Sequence, residues 1–148
     1  FFLPGVIGAE GAARRELDHP GADVHVAIAE NLVVPADPER LHQVVFNLVE
    51  NALRHGGAPV RISAIERNRN IELTVSDSGP GLPGVSTDQV FERFYRADAA
   101  RANTGGTGLG LAIVRWITEL HGGHVSASNI GPPGAPSGAA FLVALPSC

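Results

Sequence analysis

A chain of 148 residues bounds one domain of ordinary size with enough material for a hydrophobic core, and it excludes two large domains. Apolar residues make up 44% and charged residues 18% of it, and the net charge of -4 from 15 acids and 11 bases argues for a globular fold and against binding nucleic acid or a membrane surface. All 11 bases are arginine and the single cysteine, Cys148, is the last residue, which excludes a lysine-bearing P-loop, Schiff-base chemistry, a disulfide framework and a cysteine metal site.

No apolar run reaches the roughly 18 residues that span a bilayer, and residues 1–10 lack the basic start of a signal peptide. The chain holds no methionine, even at position 1, as expected of a piece of something longer, and its cysteine usage fits a reducing compartment. Residues 14–19 read as a helix and 24–28 as a strand. The clearest element begins at Asp37-Pro38, a side-chain cap followed by proline at the first helical position, and runs to the Gly56-Gly57 stop. Its residues Leu41, Val44, Val45, Leu48, Val49 and Ala52 recur at helical spacing and require a core to face. At about 100° per residue, Gln43, Asn47, Glu50, Asn51 and Arg54 fall on one polar stripe.

Residues 59–66 and 71–77 read as two strands of a β-hairpin with its turn at 67–70. Ile71, Leu73 and Val75 alternate inward, and the same parity aims Asp77 at the apolar side. The Gly/Pro-rich stretch 77–84 cannot be regular structure, 87–95 has room for a short helix, and 96–108 reads as a mobile surface loop. A second helix follows, with Leu109, Ala112, Ile113, Trp116, Ile117 and Leu120 on a shared face and Gly122-Gly123 as its end. Residues 125–128 and 139–145 read as closing strands joined by the loop 131–138. The order predicts an α+β fold with helices on one face of a sheet. A dinucleotide-binding unit is disfavoured, because Gly106-Thr107-Gly108-Leu109-Gly110 follows a polar loop where that fingerprint needs a strand.

Four places in the chain carry chemistry. The glycines ahead of Leu109 offer free backbone N–H groups at a helix start, where an anion such as phosphate is favoured, although a plain glycine hinge explains them equally well. Asn47 and Asn51 lie one turn apart with Arg54 three residues on; amide oxygens suit Mg2+ and the guanidinium suits phosphate, but taken alone the stripe is more simply a solvated helix face. Asp77, sunk among apolar neighbours, is placed to accept an amine proton such as that of adenine, or else caps its own strand end through the Ser78 or Gly79 amide. Phe91, Phe94 and Tyr95 with Arg93, Arg96 and Arg101 form an aromatic and basic cluster beside the loop, with Arg93 better read as solubilising charge. The six histidines show no zinc-ligand spacing, and no serine stands in a nucleophile motif.

The order of these signals resembles the ATP-binding catalytic domain of bacterial sensor histidine kinases, members of the GHKL ATPase superfamily with the Bergerat fold. Asn47-Leu48-Val49-Glu50-Asn51-Ala52 is similar to the N box, Asp77-Ser78-Gly79-Pro80-Gly81 to the G1 box, Phe91-Glu92-Arg93-Phe94-Tyr95-Arg96 to the F box, and Gly106-Thr107-Gly108-Leu109-Gly110-Leu111 to the G2 box. The likeness covers roughly residues 20–146 and treats 1–148 as a single domain with 96–108 as its ATP lid. It implies a two-layer α/β sandwich with a mixed, mostly antiparallel sheet. It also implies Mg2+ on Asn51, phosphate-side support from Asn47, adenine on Asp77, and phosphate contact by Arg54. His55 occupies a place often aromatic in the family. Gly79, Gly81, Leu82 and Tyr95 would border the nucleotide, Arg96 and Arg101 would address the γ-phosphate, and Gly106, Thr107, Gly108, Leu109, Gly110 and Leu111 would wrap the phosphates.

By the same likeness, hydrolysing members such as gyrase carry a glutamate base where Asn47 stands, so an amide there implies a site that holds ATP without hydrolysing it. Two departures matter. Ala139 and Ala140 replace a small hydroxyl residue near the adenine carboxylate, which implies weaker nucleotide binding. No histidine lies in a context like the family's phosphorylated H box, so the fragment is expected to be monomeric and not to phosphorylate itself. Its partners would be the phosphoacceptor dimerisation domain of a membrane-anchored parent, of which this is a cytoplasmic domain, and a response regulator. A GHKL serine kinase of anti-sigma type, a degenerate nucleotide-binding regulator and a purely structural module are the competing readings.

Overall fold

A computed structural model describes residues 24–28, 32, 36–55, 57, 59–82, 89–91, 110–132 and 136–147. The elements are β1 (Val24–Ile28), α1 (Pro38–His55), β2 (Val60–Arg67), β3 (Asn70–Ser76), a single 3-10 turn at Gln89–Phe91, α2 (Gly110–Leu120), β4 (His124–Ile130) and β5 (Gly138–Pro146). The helix read at 14–19 lies outside the described residues. So do 92–109, and of the helix read at 87–95 only the 3-10 turn is described.

α1 starts where the sequence predicts. Asp37 Oδ1 accepts the Glu39 amide at 3.0 Å and the Asp37 carbonyl accepts the Leu41 amide at 2.9 Å, so Asp37 is the N-cap and Pro38 fills the first position, whose N–H would have had no partner. Leu41, Val44, Val45, Leu48, Val49 and Ala52 are all buried, and each large one adds roughly 1.5–3 kcal/mol by leaving water.

The five strands form one sheet in the order β1-β2-β3-β5-β4. β1 pairs parallel with β2, a crossover that α1 makes possible; every other pair is antiparallel. The β2–β3 hairpin turns on Asn68 and Arg69, both at positive φ (52° and 65°), the geometry that two-residue hairpin loops favour. Both helices pack on one face of the sheet, where Ile62, Ile71, Leu73, Val75, Phe141, Val143 and Leu145 fill the core. The other face carries Arg61, Ser63, Ile65 and Thr74, exposed or half-buried. The architecture is the mixed, mostly antiparallel two-layer α+β sandwich that the sequence implies.

α2 corrects one expectation. Its buried residues are Val114, Ile117 and Thr118, whereas Trp116 and Leu120, read as sharing a face with Ile117, are 55% and 64% exposed. Thr118 can lie in the core because its hydroxyl donates to the Val114 carbonyl at 2.7 Å, which removes the cost of burying it. The helix ends as predicted, with the Gly122 and Gly123 amides returning to the Glu119 and Thr118 carbonyls. Just before that end, His121 Nε2 accepts the Asp37 amide at 3.3 Å and Nδ1 lies 2.8 Å from the Ile117 carbonyl. This pair of contacts assigns the ring proton to Nδ1 and ties the end of α2 to the cap of α1.

Candidate functional site

Strand parity delivers the acid of the site. Asp77 follows the last residue of β3, continues the inward alternation of Ile71, Leu73 and Val75, and is 6% exposed. Its amide donates to the Ala139 carbonyl at 2.9 Å. Its Oδ1 accepts two backbone donors, Gly79 N–H at 3.0 Å and Ala139 N–H at 3.2 Å. Both donors fall on one oxygen, so among the described residues Oδ2 keeps its accepting capacity for something else. The strand-capping role is therefore real, through Gly79 and not Ser78, and it leaves half of the carboxylate available. Gly138 makes this junction possible: a Cβ there would overlap the Asp77 carbonyl.

The loop after Asp77 is fastened amide by amide. Ser78 N–H donates to the Gly57 carbonyl at 2.9 Å and its hydroxyl to the Pro59 carbonyl at 3.0 Å, which holds the loop against the chain leaving α1. Gly81 turns at φ +87°. Leu82 N–H then donates to Asn129 Oδ1 on β4 at 2.6 Å.

Along α1, Asn47 and Asn51 are half-buried and Arg54 is exposed. Arg54 Nη2 pairs with Glu50 Oε1 at 2.6 Å, and Gln43 accepts from Arg40 Nη1 at 3.3 Å. The first residue of α2 meets this stripe, since a Cβ on Gly110 would lie 3.5 Å from Asn47 Oδ1. One helix face thus has the start of α2 beside Asn47 and the loop after Asp77 fastened to its outgoing chain. Among the described residues no three His, Cys, Asp or Glu side chains converge as a metal cage.

A family model described as histidine kinase-, DNA gyrase B-, and HSP90-like ATPase matches residues 36–147. The chain belongs to this family. Within it, the chain is 41% identical over 134 residues to the signal transduction histidine-protein kinase AfsQ2 of Streptomyces coelicolor, covering 90% of this chain and 24% of that protein. It is 38% identical over 127 residues to the sensor histidine kinase component HK1 of Mycobacterium tuberculosis, covering 86% of this chain and 73% of that one. The chain therefore spans about a quarter of the first relative and about three quarters of the second. Among solved structures, the mycobacterial sensor histidine kinase MprB superposes with a TM-score of 0.81 at 30% identity, covering 99% of this chain and 96% of that one. Full-length ShkA in complex with AMPPNP gives a TM-score of 0.71 at 29% identity, covering 97% and 29%. The fold is that of histidine kinase catalytic domains, and the chain is of the sensor histidine kinase type.

In this histidine kinase-type ATPase domain, Asn47, Asn51, Arg54 and His55 stand on α1, Asp77, Gly79, Gly81 and Leu82 follow β3, and Gly110 and Leu111 open α2. Tyr95, Arg96, Arg101, Gly106, Thr107, Gly108 and Leu109 lie outside the described residues. Ala139, one of the two alanines expected where the family has a hydroxyl residue, is buried and bonded to Asp77 through both its backbone N–H and its carbonyl. Two residues that the sequence reading did not place in the site touch it. Glu50 holds Arg54, a partnership visible as an i, i+4 acid–base spacing. Asn129 holds Leu82 from 47 residues away, and no local pattern marks it.

Proposed function

We propose that this domain binds Mg-ATP and donates the γ-phosphoryl group to a histidine in a separate dimerisation domain of the same sensor kinase, for relay to a response-regulator aspartate. The half-satisfied carboxylate carries this reading: Asp77 is buried with both backbone donors on Oδ1, which suits Oδ2 to an amine donor such as adenine. The amide oxygen of Asn51 on a half-buried helix face fits Mg2+, which takes few protein ligands and completes its shell with phosphate and water. When bound, the metal supplies charge that stabilises the transferring phosphoryl group.

Asn47 supports the phosphate side and, being an amide, takes no proton from water, so ATP is kept for the protein acceptor. Arg54 exchanges Glu50 for phosphate, and His55 is the next residue along the chain, at a place often aromatic in the family. Gly79, Gly81, Leu82 and Tyr95 border the base and ribose, while Arg96 and Arg101 meet the γ-phosphate from the lid, 96–108. Backbone N–H groups from Gly106, Thr107, Gly108, Leu109, Gly110 and Leu111 wrap the phosphates at the positive end of α2. On this reading the chain is one monomeric domain, and its phosphoacceptor histidine lies elsewhere in a membrane-anchored parent. Among the described residues no helix is long and apolar enough to cross a membrane.

Calorimetric titration with a non-hydrolysable ATP analogue, with and without Mg2+, tests the site. Asn51→Ala should remove most of the metal dependence, and Asp77→Asn most of the preference for adenine over guanine. If both variants bind as the unsubstituted chain does, the residue roles are wrong. Transfer of label from γ-labelled ATP to a supplied phosphoacceptor domain tests the reaction, and the label should be acid-labile, as a phosphorus–nitrogen bond is. An acid-stable label would indicate a serine kinase, and no label a regulator without transfer.

A further inference from the structure

The loop Asp77 to Leu82 leaves the sheet directly after the carboxylate of the candidate base site and must satisfy its backbone donors without a strand partner. Gly79 N–H uses Asp77 Oδ1, Pro80 has no N–H to satisfy, and Leu82 N–H uses Asn129 Oδ1 at 2.6 Å. The arc Gly79–Leu82 is therefore held at one end by the carboxylate of the site and at the other by a single carboxamide from β4. The seating is close: a Cβ on Gly81 would come within 2.7 Å of Asn129 Oδ1 and 2.8 Å of Pro136 Cβ. Not one added carbon fits between the arc and the ends of β4 and β5. Asn129 is otherwise an exposed residue at an edge strand, where an amide side chain adds nothing to sheet packing.

From this geometry we infer that Asn129 is a positioning residue for base recognition: its Oδ1 latches the Leu82 amide and so fixes the arc on which Asp77 depends for one of its two orienting donors. The inference rests on the proposed adenine role of Asp77 and adds a residue from a different element to it. When the latch is lost, the far end of the arc is free, the Gly79 amide no longer holds Asp77 Oδ1 in one direction, and Oδ2 loses its aim at the base. Among the described residues the side-chain hydrogen bond of Asn129 goes to Leu82, away from the proposed phosphate side on α1 and the start of α2.

The test uses the 148-residue chain with Mg2+ and the β,γ-imido analogues of ATP and GTP. Asn129→Ala should bind the adenine analogue about 5-fold more weakly, the worth of about one lost hydrogen bond, with the guanine analogue unchanged. Hydrogen exchange should show the Leu82 amide losing protection. Asn129→Asp, which keeps an oxygen acceptor at the same reach, should restore both the protection and the adenine preference. Equal weakening of both analogues would make Asn129 a merely structural residue and overturn the inference, as would unchanged adenine binding with Leu82 exposed. If the unsubstituted chain binds neither analogue, the nucleotide reading itself fails and the inference falls with it. Should Asn129→Ala not fold, Asn129→Ser, whose hydroxyl is too short to reach Leu82, is read by the same criteria.

Discussion

Arg54 and Glu50 pair at 2.6 Å with side chains 37% and 25% exposed. An i, i+4 pair in that setting adds only about 0.3–0.5 kcal/mol to stability, so its larger consequence is electrostatic. On the proposed role of Arg54, a triphosphate approaching α1 would meet a guanidinium already neutralised by a carboxylate, and part of its attraction would be spent on displacing that partner. Glu50→Gln removes the competing charge without shortening the side chain. We expect Mg-imido-ATP to bind this variant about 2- to 5-fold more tightly at low ionic strength, with the gain fading toward 1 M salt as the Debye length falls to about 3 Å. Titration calorimetry at two salt concentrations decides it, and equal affinities at low salt would remove Glu50 from the site's electrostatics. Asp77 was readable in advance, because a period of two over four positions fixes which side of a sheet an acid faces. Asn129 was not, because a contact across 47 residues leaves no trace in local spacing.

At the scale of the element, α2 shows where periodicity stops being informative. Leu111, Ile113, Val114, Trp116, Ile117 and Leu120 cover more than half of its circumference, so the apolar pattern admits several centres for the buried face. The choice falls on Val114, Ile117 and Thr118, since the start of the helix is drawn toward Asn47 and its end is tied through His121 to Asp37. Thr118 disguises that face because it reads as polar, while its hydroxyl is satisfied within the helix. α1 was easier to orient: its cap is explicit, Leu41, Val44, Val45, Leu48, Val49 and Ala52 cluster at one part of its apolar arc, and all six are buried. Two neighbouring substitutions check the orientation of α2. Ile117→Ala should cost about 2–5 kcal/mol through lost burial and the cavity left behind, and Trp116→Ala, although it removes the larger side chain, should stay within about 0.5 kcal/mol. Urea denaturation of both variants reads the difference, and a reversed order would mean that α2 is rotated about its axis.

In the molecule as a whole, the two sides of the site are built into the fold to different depths. The carboxylate side is part of the sheet: the Asp77 amide extends the pairing of β3 with β5 by one more bond to the Ala139 carbonyl, and Gly138 lies directly beneath the Asp77 carbonyl. The amide side stands on the polar stripe of α1, outside the core that Leu48, Val49 and Ala52 complete. Stability and binding should therefore separate on one side and fall together on the other. Gly138→Ala puts a methyl group where the Asp77 carbonyl already is, so the β3–β5 junction must open. We expect a loss of about 1–3 kcal/mol, a melting temperature lower by about 3–10 °C, and loss of adenine preference in the same variant. Asn51→Ala leaves the core and the sheet intact, so its melting temperature should stay within about 1–2 °C of the parent while most of the metal dependence of binding is lost. Differential scanning calorimetry paired with nucleotide titration tests the contrast. A Gly138→Ala protein that melts normally and still prefers adenine would show that Asp77 does not depend on β5 for its position.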